Sequence, residues 1–407
     1  MARTPVPRRR SLGWRLLRYA GLAILFFVVA VWMDGLLVRL PDESAVASPV
    51  GERVGVLHVH TIHSDGGGTP AEVMADAQRA GLSFLAMTDH NVTVPQSVIA
   101  TDPPDFALLA GDELSTDSGH FVTFGIPSDW QRPSTGNADT LLAATHAAGG
   151  VNILAHPMSH HIPWTDWTTS NFDGFEVWNG DAVWRLNNYF DIATALILYP
   201  VNPRLALLRL ARTPDAEFAK WDELNAQRPV PGMCATDAHA ALRVGFDKTI
   251  GFPSYSAHFS VGREHVRVGP QAGGGDPDHA GAAEILSAIM HGHSYCGIDV
   301  LYPANGFEER VTTGSVSGQS GDSLAWAGSG TIHVSVPAGA PEPLLQVFRD
   351  GQKILEQQTF TLDAPLPGPG RYRVEAFMRQ PGWTGWRRWT LWIFSNPIYV
   401  NDSSAAQ

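Results

Sequence analysis

Residues 53 to about 301 alternate short apolar runs with amphipathic stretches. The runs 54–57, 82–87, 106–110, 120–126, 151–154, 174–179 and 230–235 have the length and the apolar content of buried strands. Between the first two, residues 71–80 read as a helix: Thr69 offers an N-cap, Pro70 suits the first turn and Gly81 closes it. Residues 138–148 read as another, stopped by Gly149 and Gly150, and residues 280–290 as a third. Repeated strand–helix units without a long polar tract imply an α/β barrel or a doubly wound sheet.

Beyond about residue 302 the pattern changes to short alternating or aromatic runs at 331–336, 344–348, 358–362, 372–377 and 389–394. Asp350-Gly351 is a hairpin signal and Pro-Gly pairs separate other runs. This predicts a β-sandwich of about 90–100 residues. Its Trp383, Trp386, Trp389 and Trp392 are assigned to packing rather than to a carbohydrate platform.

At the other end, Arg8, Arg9, Arg10, Arg15 and Arg18 precede an uncharged apolar run over residues 19–33. That run lies just below the roughly 17–25 residues of a membrane span, and Leu16, Leu17, Leu36 and Leu37 extend it. Arg before it and Asp34, Asp42 and Glu43 behind it orient the amino end to the cytoplasm and the body outside. An uncleaved anchor is the preferred reading. A cleaved signal ending near Ala45-Val46-Ala47 and a buried cytoplasmic helix are the alternatives. Residues 192–211 are apolar but broken by Pro200, Pro203, Arg204 and Arg209, which suits a helical insertion on the barrel or on a membrane surface. The expected organisation is a leader and linker (1–50), a barrel (51–303) and a β accessory domain (304–407).

The 407 residues carry a net charge of −12; the first 18 hold six Arg and no acid, which leaves −18 on the rest. An acidic body argues against sequence-independent binding to nucleic acid, which needs basic surface, so no nucleic-acid polymer is expected as partner. Cys234 and Cys296 are too few for a disulfide framework, and Cys234, in an apolar run, is expected as a buried thiol.

The chemistry lies where the runs end. HVHTIHSDG (58–66), TDHN (88–91), GDELS (111–115), AHP (155–157) and TDAH (236–239) each follow an apolar run, and Gly119-His120-Phe121 joins them. Imidazoles and carboxylates are the ligands of hydrolytic metals. On a strand, residues two apart face one side, so His58 and His60 can grip one ion, as can Asp237 and His239. Glu113 has two oxygens and can bridge two ions; Asp65, His90, His120 and His156 add further donors. Nine candidates exceed the four ligands of a closed structural zinc site and suit two or three divalent ions, Zn²⁺, Mn²⁺ or Fe²⁺. Ligands at successive strand ends favour a barrel, whose active sites occupy that face.

These segments resemble the polymerase and histidinol phosphatase (PHP) superfamily of metallohydrolases, across about residues 53–303. The motifs are His-x-His-Thr-x-x-Ser-Asp-Gly at 58–66, Thr-Asp-His at 88–90, Gly-x-Glu at 111–113, His-Pro at 156–157 and Asp-Ala-His at 237–239. The leader, the segment Glu176-Val177-Trp178-Asn179 and the trailing β region look most like its carbaryl-hydrolase-like branch. The resemblance implies a distorted (β/α)7 barrel. It implies that His58, His60, Glu113 and Asp237 hold one metal, Glu113, His120 and His156 a second, and Asp65, His90 and His239 a third. It makes Asp89 a carboxylate that orients an imidazole, and leaves His63 without a ligand role.

The expected activity is hydrolysis of a small phosphate ester or nucleotide by a metal-bridging hydroxide. Glu113 shares the ions, and Asp65 or His239 hands a proton to the leaving oxygen. Arg243 and Lys248 are candidates to clamp a phosphate, and the loop bearing His160 and His161 to line the rim. A carboxyl-ester or carbamate hydrolase and a non-catalytic envelope binding protein are the competing readings.

Overall fold

The computed structural model describes residues 12–92, 106–243, 249–269, 279–383 and 388–402. It opens on a 26-residue helix, α1 (Leu12–Leu37), which runs through Arg15 and Arg18 as well as the apolar stretch. At 1.5 Å per residue it is about 39 Å long, more than the roughly 30 Å of bilayer hydrocarbon. It is long and apolar enough to cross a membrane, a test that a signal sequence also passes.

The barrel follows: β1 (Glu52–Val59), α2 (Pro70–Arg79), β2 (Phe84–Met87), β3 (Ala107–Thr116), β4 (Gly119–Phe124), α3 (Ala138–Ala147), β5 (Val151–Ala155) and β6 (Gly174–Asn179). Thr69 and Glu72 form a capping box at the start of α2, and Val73, Met74 and Ala77 are buried along it. Helices α4 (Gly180–Trp184), α5 (Tyr189–Leu198), α6 (Pro203–Leu210) and α7 (Asp215–Asn225) lead to β7 (Gly232–Ala238). Strands β1 to β7 are neighbours in order, and β7 returns to β1, closing a seven-strand barrel. Its pairs are parallel except that β4 runs antiparallel to both β3 and β5. This hairpin is the distortion in the expected barrel. It also moves Glu113, expected at a strand end, into the middle of β3 opposite Val122.

The apolar segment 192–211 is indeed helical: Pro203 stands in the first turn of α6, capped by Asn202. The last turns of α1 dock here. Phe27 and Phe190 rings lie 5.5 Å apart, Trp32 Nε1 donates to Ile197 O at 2.9 Å, and buried Asp34 pairs with Arg209 at 2.8 Å. Gly35 permits the approach, since a Cβ there would sit 2.7 Å from Leu198 Cδ1.

After the short pair β8 (Leu242–Arg243) and β9 (Thr249–Ile250) come α8 (Tyr255–Phe259), β10 (Gly262–Arg267), α9 (Ala282–Met290) and β11 (Ser294–Ile298). Strand β10 adds antiparallel to β1 and β11 to β10, an extension the sequence pattern did not suggest. Cys234 on β7 and Cys296 on β11 are 5.2 Å apart at Cα and joined as a disulfide, which corrects the expected free thiol. Their sequence separation of 62 hides the contact until β11 is placed beside the barrel.

The remaining strands are β12 (Glu308–Thr313), β13 (Val316–Gly318), β14 (Ser323–Ala325), β15 (Gly330–Ser335), β16 (Leu344–Arg349), β17 (Gln352–Gln358), β18 (Thr361–Pro365), β19 (Gly370–Arg379), β20 (Trp389–Ser395) and β21 (Ile398–Asn401). Asp350 and Gly351, both at positive φ, turn β16 into β17, as the hairpin signal requires. The sequence pattern missed β17 and placed β18 about three residues early, because β17 is polar and exposed. One sheet, β13-β12-β15-β18, packs on the other strands: Val311, Ile332 and Val334 share a core with Leu345, Val347 and Val374. Strand β20 pairs with β11, so this second layer continues the barrel's own sheet. Trp392 is buried and Trp389 half-buried; Trp383 is 48% exposed, and Trp386 lies outside the described residues.

Candidate metal centre

Two strand irregularities aim the first ligands inward. On β1, Val56 pairs with Leu85 but Val59 with Met87, so one extra residue is bulged out around His58, whose φ is 61°. On β7, Ala235 pairs with Leu57 but Ala238 with Val59, and the extra residue brackets Asp237 at φ 50°. Simple alternation along a strand, the basis on which these pairs were expected to converge, is therefore not what orients them. His156, at φ 33°, is a third non-glycine residue in the left-handed region. Such conformations cost on the order of 1–3 kcal/mol each and persist where the surroundings over-determine them.

The donors converge on Glu113, which is fully buried. His58 Nε2, His60 Nε2 and His90 Nδ1 lie 3.1, 3.2 and 3.0 Å from its Oε2. His120 Nδ1 and His156 Nε2 lie 2.8 and 3.0 Å from its Oε1. Asp237 Oδ1 is 3.3 Å from His60 Nε2 and 3.6 Å from His58 Nε2. Nearer the mouth, Asp65 Oδ1 is 3.4 Å from His239 Nε2, and Asp65 Oδ2 is 3.8 Å from His90 Nε2. The centre thus grades from His58, His60 and Glu113 at its floor to Asp65, 44% exposed, at its rim.

Among the described residues, three groups of donor atoms lie close enough to share an ion: His58, His60 and Glu113; His90, Glu113 and His120; and His60, Asp65, His90 and His239. In the second group His90 stands where the family resemblance puts His156, and in the third His60 joins the expected set. The residues fit divalent ions by a further sign. His58 Nε2, His60 Nε2, His90 Nδ1 and Glu113 Oε2 are buried without a hydrogen-bond partner, an arrangement costly for protein alone and natural around a cation.

Charge accounts for the protonation pattern. Burial would raise the Glu113 carboxyl, but His58 and the imidazoles bonded to it outweigh that and hold it well below the usual range. Burial likewise opposes charge on His156 and His239; their carboxylate neighbours, Glu113 for the first and Asp65 and Asp237 for the second, lift each to about 9. Asp65, pushed up by burial, is drawn down to about 2 by His239, His60 and His90.

Glu176 and Asn179, noted in the sequence only as part of a family likeness and given no role there, position these donors. Glu176 Oε1 lies 2.7 Å from His58 Nδ1, and its Oε2 accepts from His156 N (2.7 Å) and Asn179 Nδ2 (2.9 Å). Asn179 Nδ2 also reaches Asp237 Oδ2 at 3.3 Å. An acid inside the apolar run 174–179 was the available signal, because a buried carboxylate needs partners. Glu176→Gln is expected to weaken metal binding about 10- to 100-fold while leaving the fold intact, measured by competition with a chelating dye. Asp89, expected to orient an imidazole, touches none directly and reaches His60 only through Ser64, whose Oγ is 3.4 Å from His60 Nδ1. Its oxygens accept from Thr61 N, Thr61 Oγ1 and Ser64 Oγ at 2.7–2.8 Å, so it fixes the loop that follows His60. Tyr255 Oη binds His60 O and His239 O, and Gly67 allows that loop in, since a Cβ there would meet Ala240 O at 2.3 Å.

A cavity of about 570 Å³ opens onto the donors. His161, beside the expected His160, lines it; His160 itself is exposed and is not among the lining residues. His63 is exposed. Arg243 lies on β8, and Lys248 falls outside the described residues.

No family model and no curated protein matches the sequence. Among solved structures, the chain is similar to a two-domain protein containing a predicted PHP-like metal-dependent phosphoesterase from Bacteroides vulgatus. Identity is 12% and the TM-score 0.42, over 81% of this chain and 93% of that one. It is also similar to a putative metal-dependent phosphoesterase from Bifidobacterium adolescentis (16%, TM-score 0.31, 50% and 94%). A third is an amidohydrolase from Chromobacterium violaceum (16%, TM-score 0.32, 49% and 92%).

Proposed function

We propose that the chain is a metal-dependent hydrolase of the PHP type, a phosphoesterase acting on a small phosphate ester. The observation that carries this reading is the convergence of five imidazoles on the two oxygens of buried Glu113. His58, His60, Asp237 and Glu113 would hold one divalent ion, Glu113, His120 and His156 a second, and Asp65, His90 and His239 a third. Zinc, manganese and iron all suit this donor set. Bound ions would activate a water and neutralise charge developing on the substrate. The chain's own part is positional. Glu176 and Asn179 hold His58 and Asp237 in place, Asp89 holds the His60 loop, and the Asp65–His239 pair at the mouth can pass a proton to a leaving oxygen. The further layout in this reading is leader 1–50, hydrolase 51–303 and β region 304–407. Helix α1 anchors the body at a membrane, with the body outside the cytoplasm.

A carboxyl-ester or carbamate substrate is the second reading, favoured by one observation. Among the described lining residues Arg185 is the only Lys or Arg, and it is already bound to Asp181 at 2.7 Å. Protein loaded with Mn²⁺ or Zn²⁺ should release nitrophenol from p-nitrophenyl phosphate faster than a Glu113→Gln control. Release from p-nitrophenyl acetate alone would move the assignment to the second reading. Fewer than one bound ion per chain would favour a non-catalytic binding protein.

Metal loading should also release protons. His156 and His239 titrate near 9 in the metal-free protein, so at pH 7 each carries a proton that an ion must displace. Apparent affinity should therefore rise with pH up to about 9. Calorimetry at pH 7 in buffers of different ionisation enthalpy should give unequal heats, and equal heats would contradict the assignment.

A further inference from the structure

The cavity above the metal donors has two unlike ends. One holds the imidazoles and carboxylates; the other is built from the helix pair between β6 and β7. Ile192, Ala195, Leu196 and Tyr199 line it from α5 and the residue following it, a spacing of three, one and three that presents one face of a helix. Leu207 and Leu210 line it from α6. His258, in the same wall, is pushed down to about 4 by burial and is neutral.

The other side of α5 meets α1. Phe190, Ile197 and Leu198 contact Phe27, Trp32 and Gly35 there, and Arg209 of α6 holds Asp34. One helix pair is therefore the wall of the catalytic cavity and the seat of the helix long enough to cross a bilayer. At the start of α5, Tyr189 is 92% exposed, and tyrosine is enriched at membrane–water boundaries. An apolar cavity of this size needs no such neighbour to bind a sugar phosphate or a nucleotide, and Arg185, the one Lys or Arg among its described lining residues, is already engaged by Asp181.

We propose that the substrate is a single-chain amphiphile from the bilayer, with its phosphoester head at the metal donors and its hydrocarbon chain between α5 and α6. This rests on the hydrolase reading above and names its substrate class. The reaction adds one water: a new P–O bond forms from the water oxygen, the P–O bond to the leaving group breaks, and the leaving oxygen takes a proton.

The test uses the full-length, metal-loaded protein in lipid nanodiscs with two homologous series kept below micelle-forming concentrations. The first is 4-nitrophenyl alkyl phosphates from methyl to dodecyl, read as kcat/KM. The second is alkylphosphonates of the same lengths, read as Kd by calorimetry. Burial of a methylene is worth about 0.8 kcal/mol, so each added carbon should improve both readouts about two- to fourfold until the chain outgrows the cavity. Leu207→Trp, which fills the wall, should collapse the ratio of dodecyl to methyl values in both. Flat or falling profiles, or no phosphonate binding at any length, overturn the proposal. Phosphonate affinity that climbs with length while no ester is cleaved retains the amphiphile and overturns the hydrolase. Cleavage independent of length does the reverse.

Discussion

Glu113→Gln is expected to empty the two sites that share this carboxylate and to lower hydrolysis by about 10³-fold or more. Five imidazoles lie within 3.2 Å of its two oxygens, and two of the three donor groups include it. Glutamine keeps the volume but removes the charge, and its amide nitrogen would point at ring nitrogens that need to donate lone pairs to an ion. Loss of the ions removes water activation, which accounts for the size of the effect. Elemental analysis and a metal-supplemented rate check it. A variant that retains its ions with a rate within tenfold of the parent would show that Glu113 does not bridge. Circular dichroism separates this from unfolding.

His265→Ala is expected to destabilise the protein by about 3–5 kcal/mol, the usual cost of leaving buried charge without its partner. His265 is fully buried, 3.1 Å from both Glu52 Oε1 and Asp299 Oδ1, and stacks on Tyr295 with ring centroids 4.7 Å apart. These residues join β1, β10 and the segment after β11, and Glu52 also accepts from Gly306 N, so the cluster ties the barrel to the strands beyond it. Burial alone would lower the His265 pKa; Asp299 and Glu52 overcome it and raise it to about 9. A histidine raised from 6.5 contributes stability that is complete below about 6.5 and is lost as pH rises through about 9. Thermal melts of the parent should therefore fall over that window more steeply than those of the variant. Parallel curves would remove His265 as the cause.

Much of the site could be read from the chain. Each donor segment follows an apolar run that forms a strand, and periodicity with its caps placed α2 and α3 to within a residue. Such features are local, so sequence carries them. Other features arise only when distant segments meet. The bulges at His58 and Asp237 arise in the pairing of β1 with β2 and with β7. Asp89 turned out to serve Thr61 and Ser64, and Glu176 to serve His58, across separations of 25–28 and 118 residues. Strands β10 and β11, and with them the Cys234–Cys296 bond, are placed by contacts with β1 and β7. The sequence by itself determined the donors, the barrel strands that carry them and an apolar leader, because residue type and hydrophobic period are written locally. Only the tertiary structure decided which donors share Glu113, which carboxylates steady them and that α5 faces both the cavity and α1, because those depend on long-range packing.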